Sequence, residues 1–249
     1  MKLTILGSYG PFPEAGGTCS GYLLEQDGCY ILLDCGNGVL SRLQFYIGLD
    51  KLSAVIISHL HSDHISDLFI LRYALQLAFD NRSRNLPLKI FSPAEPEAEF
   101  ARFSSYKDIF DIEIIAENKQ FEIGSLQFSF LQTVHSVPSY AVSVSHHNRK
   151  KIVYSSDTEY FPQLSNYAEN APLFLCESNL LAADLQKGKI NHLSASQAAK
   201  LAREGRVKQL LLTHLFPYRD PQAYLKEAAA IFPAAELARE GKTYRVADI

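Results

Sequence analysis

The sequence predicts a mixed α/β protein in which sheets pack against each other with helices outside, rather than a regularly alternating parallel sheet. Two observations carry this. Nearly continuous apolar runs, LSAVIIS (52–58) and PLFLCESN (172–179), read as strands covered on both faces. Strand signatures also come in groups, so that the chain runs β-rich and then mixed, twice over.

In order, KLTILG (2–7), SGYLLEQ (20–26) and YILLDCG (30–36) read as strands separated by glycine-containing turns. LSAVIIS is the fourth. SDLFILRYALQLAF (66–79) is helical: Leu68, Ile70, Leu71, Ala74, Leu75 and Leu77 follow the period, and Ser66 can cap the start. LKIFSP (88–93) is a strand ended by proline, and EPEAEFARFSSY (95–106) a helix. DIEIIAE, QFEIGSLQFSFLQT and YAVSVSHHNRKKIVYSSD carry strand and hairpin signatures, with turns at Gly124 and at HHNRK. After PLFLCESN comes a helix, SASQAAKLAREG (194–205), with a Ser194–Gln197 capping box and a terminal Gly205. VKQLLLTH (207–214) is a strand. DPQAYLKEAAAIF (220–232) is a helix with Asp220 as cap and Pro221 at its first position.

The 249 residues, 47% apolar, are ample for a core, and no linker, repeat or low-complexity segment divides them, so one domain over 1–249 is expected. A net charge of -3 gives no general basic field for nucleic acid. No apolar run reaches the roughly 18 residues of a membrane span. The start, MKLTILGSYGPFPEAG, reads as a first strand and turn instead of a signal peptide. Cys19, Cys29, Cys35 and Cys176 form no C-x-x-C pair, which suits reduced thiols and a cytoplasmic location.

The chemistry concentrates in SHLHSDHISDL (58–68), where three of the eight histidines fall within six residues. Imidazole nitrogen and carboxylate oxygen are the ligands that zinc-like ions take. His59 and His61, two apart in an extended turn just past a strand, face the same way. Asp63 and His64 follow where the chain turns into a helix, so one pair can face one ion and the second pair another. Four ligands are too few for two metals. Candidates for the rest end other apolar runs: His135 after LQTV, Asp157 after IVYSS and His214 after LLLT. His146 and His147 sit in a polar hairpin turn and read as solvated. Tyr9, Phe12, Tyr160, Phe161, Phe216 and Tyr218 lie in loops beside the motif ends, where they line a substrate mouth and stack a base, or else plug the core or a dimer contact.

This ordered set, from Asp34 in LLDCGNG through SHLHSDH and His135 to Asp157 in YSSDT and His214 in LLLTH, resembles the metallo-β-lactamase superfamily over essentially the whole chain. The resemblance implies a four-layer αββα sandwich. It implies two divalent ions, zinc by default with manganese as the alternative. His59, His61 and His135 would hold the first, Asp63, His64 and His214 the second, with Asp157 bridging and Asp34 orienting the ligand loop. Within the superfamily the chain looks most like the ribonuclease Z branch of phosphodiesterases. NHLSASQAA (191–199) places His192 where that branch contacts the scissile phosphate, and Glu177 in LCESN resembles the acid of its HEAT motif. Three departures matter. Only 21 residues separate His135 from Asp157, too few for the tRNA-binding arm; PFPEAGGTCSG replaces the PxKxRN loop; and HLS replaces HST.

The expected enzyme is therefore a dinuclear phosphodiesterase of small or single-stranded nucleotide substrates, acting through a metal-bridging hydroxide. Asp63 would orient the nucleophile or relay its proton, and His192 would donate to the phosphate or leaving group. A homodimer is expected from the branch, and no membrane partner. A tRNA 3′-processing endoribonuclease, a lactone or thioester hydrolase, and a non-enzymatic metal-stabilised binding protein are the alternatives, because fold does not decide chemistry.

Overall fold

The structure, a computed structural model, describes residues 1–188 and 191–246. Six strands come first: β1 (Lys2–Gly7), β2 (Gly21–Gln26), β3 (Cys29–Leu33), β4 (Ala54–Ile56), β5 (Leu88–Ser92) and β6 (Phe110–Ile114). A second set follows: β7 (Gln120–Ile123), β8 (Leu126–Gln132), β9 (Tyr140–His146), β10 (Arg149–Tyr154), β11 (Leu173–Glu177), β12 (Gln209–Thr213) and β13 (Ala235–Leu237). The last, β14 (Thr243–Arg245), returns to the first sheet beside β1. The two seven-stranded sheets are ordered β14-β1-β2-β3-β4-β5-β6 and β13-β12-β11-β10-β9-β8-β7. In each, an antiparallel half is continued by a parallel half.

Between the sheets lies one apolar layer, in which Leu3, Tyr22, Leu24 and Phe91 meet Phe128, Val144, Ile152 and Leu175. Outside the first sheet pack α1 (Val39–Leu43), α3 (Leu68–Asp80) and α4 (Glu97–Ser104), with α2 (Ser62–Ile65) leading into α3. Outside the second pack α5 (Gln163–Tyr167), α6 (Ala195–Glu204) and α7 (Pro221–Ala229). The central parallel strands β4, β11 and β12 are buried on both faces, which explains why they read as unbroken apolar runs: β11 and β12 have their odd residues in one layer and their even residues in another. The fold is the αββα sandwich that the sequence predicts.

Local signals mostly act as expected. Ser194 and Gln197 form a reciprocal capping box, and Asp220 accepts from the Gln222 N–H at 2.9 Å. The β9–β10 hairpin turns on His147 and Asn148, both left-handed at φ 49 and 59, as a two-residue type I′ turn requires. Other expectations are corrected. Ser66 caps nothing: the chain enters α3 already helical from α2, with Asp67 as the flanking residue. The Asp67 carboxylate instead accepts from the Leu40 N–H of α1 at 2.9 Å. Leu68, Leu71 and Leu75 of α3 face the core as the period predicts, but Ile70 and Leu77 are exposed, because the helix lies on a single sheet face. His146 is not solvated; it ends β9, is buried, and meets the Asp27 carboxylate at 3.2 Å. Tyr160 and Phe161 pack into the outer layer of the second sheet. The three-residue strands β13 and β14, and α1, are too short to show a period in sequence.

Candidate metal centre

Most of the predicted set lies at the C-terminal ends of strands on one rim of the sandwich, with Asp63 and His64 on α2 and His192 in the loop before α6. Asp34 follows β3, His59 and His61 follow β4, His135 follows β8, Asp157 follows β10, Glu177 ends β11 and His214 follows β12. Turning sharply at that rim takes unusual backbone: Asp34, Ser156 and His214 all have positive φ, at 56, 54 and 54 degrees. Such conformations cost of order 1–3 kcal/mol in non-glycine residues and persist where surrounding structure imposes them.

The side chains converge in two groups sharing one carboxylate. His59 Nε2 and His135 Nε2 each lie 3.1 Å from His61 Nδ1. Three facing ring nitrogens cannot all be satisfied by one another's protons; their lone pairs are those of a chelate. The tautomers are set from behind. His135 Nδ1 donates to the Asn191 carbonyl at 3.0 Å, and His59 Nδ1 lies against the hydroxyls of Ser58 and Ser156 at 3.2 and 3.4 Å. In the second group His64 Nε2 lies 3.6 Å from Asp63 Oδ2, and His214 Nε2 lies 3.1 Å from the same oxygen. Asp157 stands between: Oδ2 is 3.7 Å from His59 Nε2 and 3.3 Å from His214 Nε2, and Oδ1 is 3.4 Å from His64 Nε2. Potential ligand atoms of His59, His61, His135 and Asp157 all lie within 4.8 Å of one another, as do those of Asp63, His64 and His214.

Asp34 lies behind this layer, fully buried. It accepts from the Ser58 N–H and Oγ, from Tyr154 Oη and from His64 Nδ1, at 2.7 to 2.8 Å. This leaves Nε2 of His64 as its free lone pair. That atom and Asp157 Oδ1 are buried without a hydrogen-bond partner among the described residues. Orphaned acceptors of this kind, inside a set of imidazoles and carboxylates, fit divalent cations.

The electrostatics differ between the two groups. Burial alone would raise the Asp157 carboxyl, but His214, His64 and His59 outweigh it and hold it well below the usual range. Burial would lower His64; Asp157, Asp63 and Asp34 reverse that and raise it. Burial and neighbouring imidazoles push His59, His61 and His135 down, keeping them neutral as ligation requires.

His192 stands at the edge of the centre. Its Nδ1 is 3.0 Å from Glu177 Oε1 and 3.9 Å from Asp157 Oδ2, and its ring stacks on His214 with centroids 5.2 Å apart. Burial would lower this imidazole, but Glu177, with Asp157 and Asp63, raises it to about 9. Glu177 is fully buried; its carboxylate also accepts from the Thr158 and Asn179 N–H groups at 2.7 and 3.4 Å, so its hydrogen bond to the site among the described residues is the one to His192. A cavity of about 550 Å³ opens over the centre, lined by His61, Asp63, His135, Asp157, His192 and His214. Pro11, Ser62, Ser136 and Asn191 also line it; the sequence marks them only as neighbours of the motif residues. A larger cavity, about 720 Å³, lies under β6 between Phe100, Lys107 and Ile112, where no histidines converge.

Fold and rim together define a protein class, and the family comparison agrees: residues 30–215 match the beta-lactamase superfamily domain, and the chain belongs to that superfamily. It is a metal-dependent hydrolase of this fold, using divalent ions. Among its relatives is the probable metallo-hydrolase YhfI of Bacillus subtilis (strain 168), 32% identical over 93% of this chain and 94% of that one. The YhfI crystal structure superposes with a TM-score of 0.92 over 98% of both chains. Ribonuclease Z of Methanopyrus kandleri is 25% identical over 99% of this chain and 98% of that one. The human short-form tRNase Z shares the fold, with a TM-score of 0.78 at 20% identity over 100% of both chains. No helix among the described residues is long and apolar enough to cross a membrane.

Proposed function

We propose that this chain, as one hydrolase domain, is a dinuclear phosphodiesterase of small or single-stranded nucleotide substrates. His59, His61 and His135 would hold one ion and Asp63, His64 and His214 the other, with Asp157 bridging them. Zinc suits this nitrogen-rich set best, and manganese tolerates it. When bound, the pair would supply an acidified water and positive charge against the phosphoryl oxygens. Asp63, facing the cavity, orients the attacking water and takes its proton. His192 donates from Nε2 to a phosphoryl oxygen or to the leaving group, its Nδ1 being tied to Glu177. Glu177 is a positioning residue, and Asp34 holds His64 and the ligand loop.

The observation that carries this reading is His192: a donor in the same cavity as the ligand groups, held from behind by a buried acid. A lactone hydrolase has no evident use for it. Length argues against precursor tRNA. The β9–β10 hairpin closes through a two-residue turn, so no arm extends between His135 and Asp157. The similarity to ribonuclease Z of Methanopyrus kandleri supports phosphodiester chemistry. In an assay of the metal-loaded protein, a chromogenic bis-aryl phosphodiester and cyclic nucleotides should be hydrolysed, and precursor tRNA and lactones left intact. Cleavage of precursor tRNA at its 3′ side would favour the endoribonuclease; turnover of lactones alone would end the phosphodiesterase reading.

The buried thiols of Cys19, Cys35 and Cys176 support a reducing, cytoplasmic setting. A homodimer belongs to the same reading. Ile70, Tyr73 and Leu77, spaced i, i+3, i+7 along α3, are 58%, 58% and 62% exposed and form an apolar stripe suited to an antiparallel helix pair with a second copy. Sedimentation at micromolar concentration should give a dimer that Tyr73→Glu converts to monomer. A monomeric wild type would remove this part of the proposal.

A further inference from the structure

We propose that Phe12, Phe216 and Tyr218 form a stacking platform for the base of a nucleotide whose phosphodiester lies at the metal centre; this rests on the phosphodiesterase reading above. The three rings touch pairwise, edge to face. Centroids are 5.9 Å apart for Phe12 and Phe216, 5.2 Å for Phe12 and Tyr218, and 5.9 Å for Phe216 and Tyr218.

Their position is set by the centre itself. Phe216 follows the ligand residue His214 by two positions, and Phe12 follows Pro11, which lines the cavity. The two loops are bonded together beside the site. The Gly10 N–H donates to the Leu215 carbonyl at 3.2 Å, and the Asn179 side-chain amide donates to the carbonyls of Gly10 and His214 at 2.8 and 3.1 Å. Gly10 lies so close that a Cβ there would sit 2.0 Å from His214 Nε2. The segment carrying Phe12 therefore rests directly on a metal-ligand ring.

Packing alone does not account for the trio. Tyr218 is 80% exposed, so its ring adds little to any core. Yet its loop is anchored on both sides. The Phe216 N–H donates to Tyr224 Oη at 3.3 Å, Arg219 pairs with Asp184 at 2.6 Å, and Asp220 caps α7. An aromatic ring held out on a fixed loop can receive a planar ligand with little ordering cost. Other loop aromatics are otherwise engaged: Tyr9 donates to Glu14, and Tyr160 lies under the Lys200 ammonium. Every nucleobase offers a π-face, so such a platform selects nucleotides over simple phosphodiesters without reading which base is present.

The test compares two substrates that release the same chromophore from the metal-loaded enzyme: thymidine 5′-(p-nitrophenyl) phosphate, which carries a base, and methyl p-nitrophenyl phosphate, which carries none. The wild type should prefer the thymidine ester. Tyr218→Ala should lower kcat/KM for it by roughly 5- to 150-fold, the range of one stacking contact, and leave the methyl ester within about twofold. Tyr218→Trp should retain the preference. Equilibrium binding gives a second readout: Tyr218→Ala should weaken AMP but not ribose 5-phosphate. Equal losses on both esters, or a wild type indifferent to the base, would overturn the platform and leave the phosphodiesterase standing. A wild type that cleaves neither ester would overturn both.

Discussion

Replacing Asp157 by alanine is expected to strip the protein of divalent ions and bring hydrolysis to background. The Asp157 carboxylate lies between both proposed ligand sets, reaching His59 on one side and His64 and His214 on the other at 3.3 to 3.7 Å. Its two oxygens face different imidazoles, and Oδ1 has no protein hydrogen bond among the described residues, as expected of a carboxylate that would hold cations. Without it each proposed set would lose its shared anionic donor, leaving Asp63 as the one carboxylate among the proposed ligands. Changes to groups that merely support ligands cost roughly 10- to 100-fold in metal affinity, and loss of a direct, shared ligand should exceed that. Elemental analysis of the purified variant should find well under one ion per chain, with circular dichroism unchanged. Asp157→Asn, which keeps the shape and removes the charge, should lose metal as well. A full metal load in both variants would show that the ions are held elsewhere.

The second large effect separates chemistry from metal binding. His192→Ala should reduce kcat on a small phosphodiester by about 10²- to 10⁴-fold, the contribution of a positioned acid or base, while metal content stays at the wild-type level. The reason is geometric. His192 Nδ1 is committed to Glu177 at 3.0 Å and lies 3.9 Å from the nearest Asp157 oxygen, so the ring borders the ligand groups while its other nitrogen remains for substrate. Loss of metal together with activity would make His192 a ligand. Retained activity would remove the role assigned to it.

The local cluster was legible because its members are sequence neighbours. His59, His61, Asp63 and His64 lie within one turn and a short helix, so their spacing alone announces a metal-binding segment. His135, Asp157 and His214 were legible in a weaker way, each as a polar residue ending an apolar run. What brings them together is that strands distant in the chain end on the same rim. Glu177 illustrates the limit. Its residue type and motif suggest a participant, but only the packed structure shows it fully buried behind His192. The exposed stripe on α3 shows another. Its apolar period marks a helix, but which turns face the sheet depends on where that helix lands.

The sequence by itself determined the longer elements, the packing of sheets with helices outside and the ligand candidates, because strand patterning, capping residues and ligand chemistry are properties of short segments. Tertiary structure alone decided which lone pairs face one another, which tautomers they adopt, and which carboxylates are shared and which stand behind. Those depend on distances between residues more than a hundred positions apart, such as His214 and Asp63 at 3.1 Å. Such distances exist only once two sheets have closed on a common core.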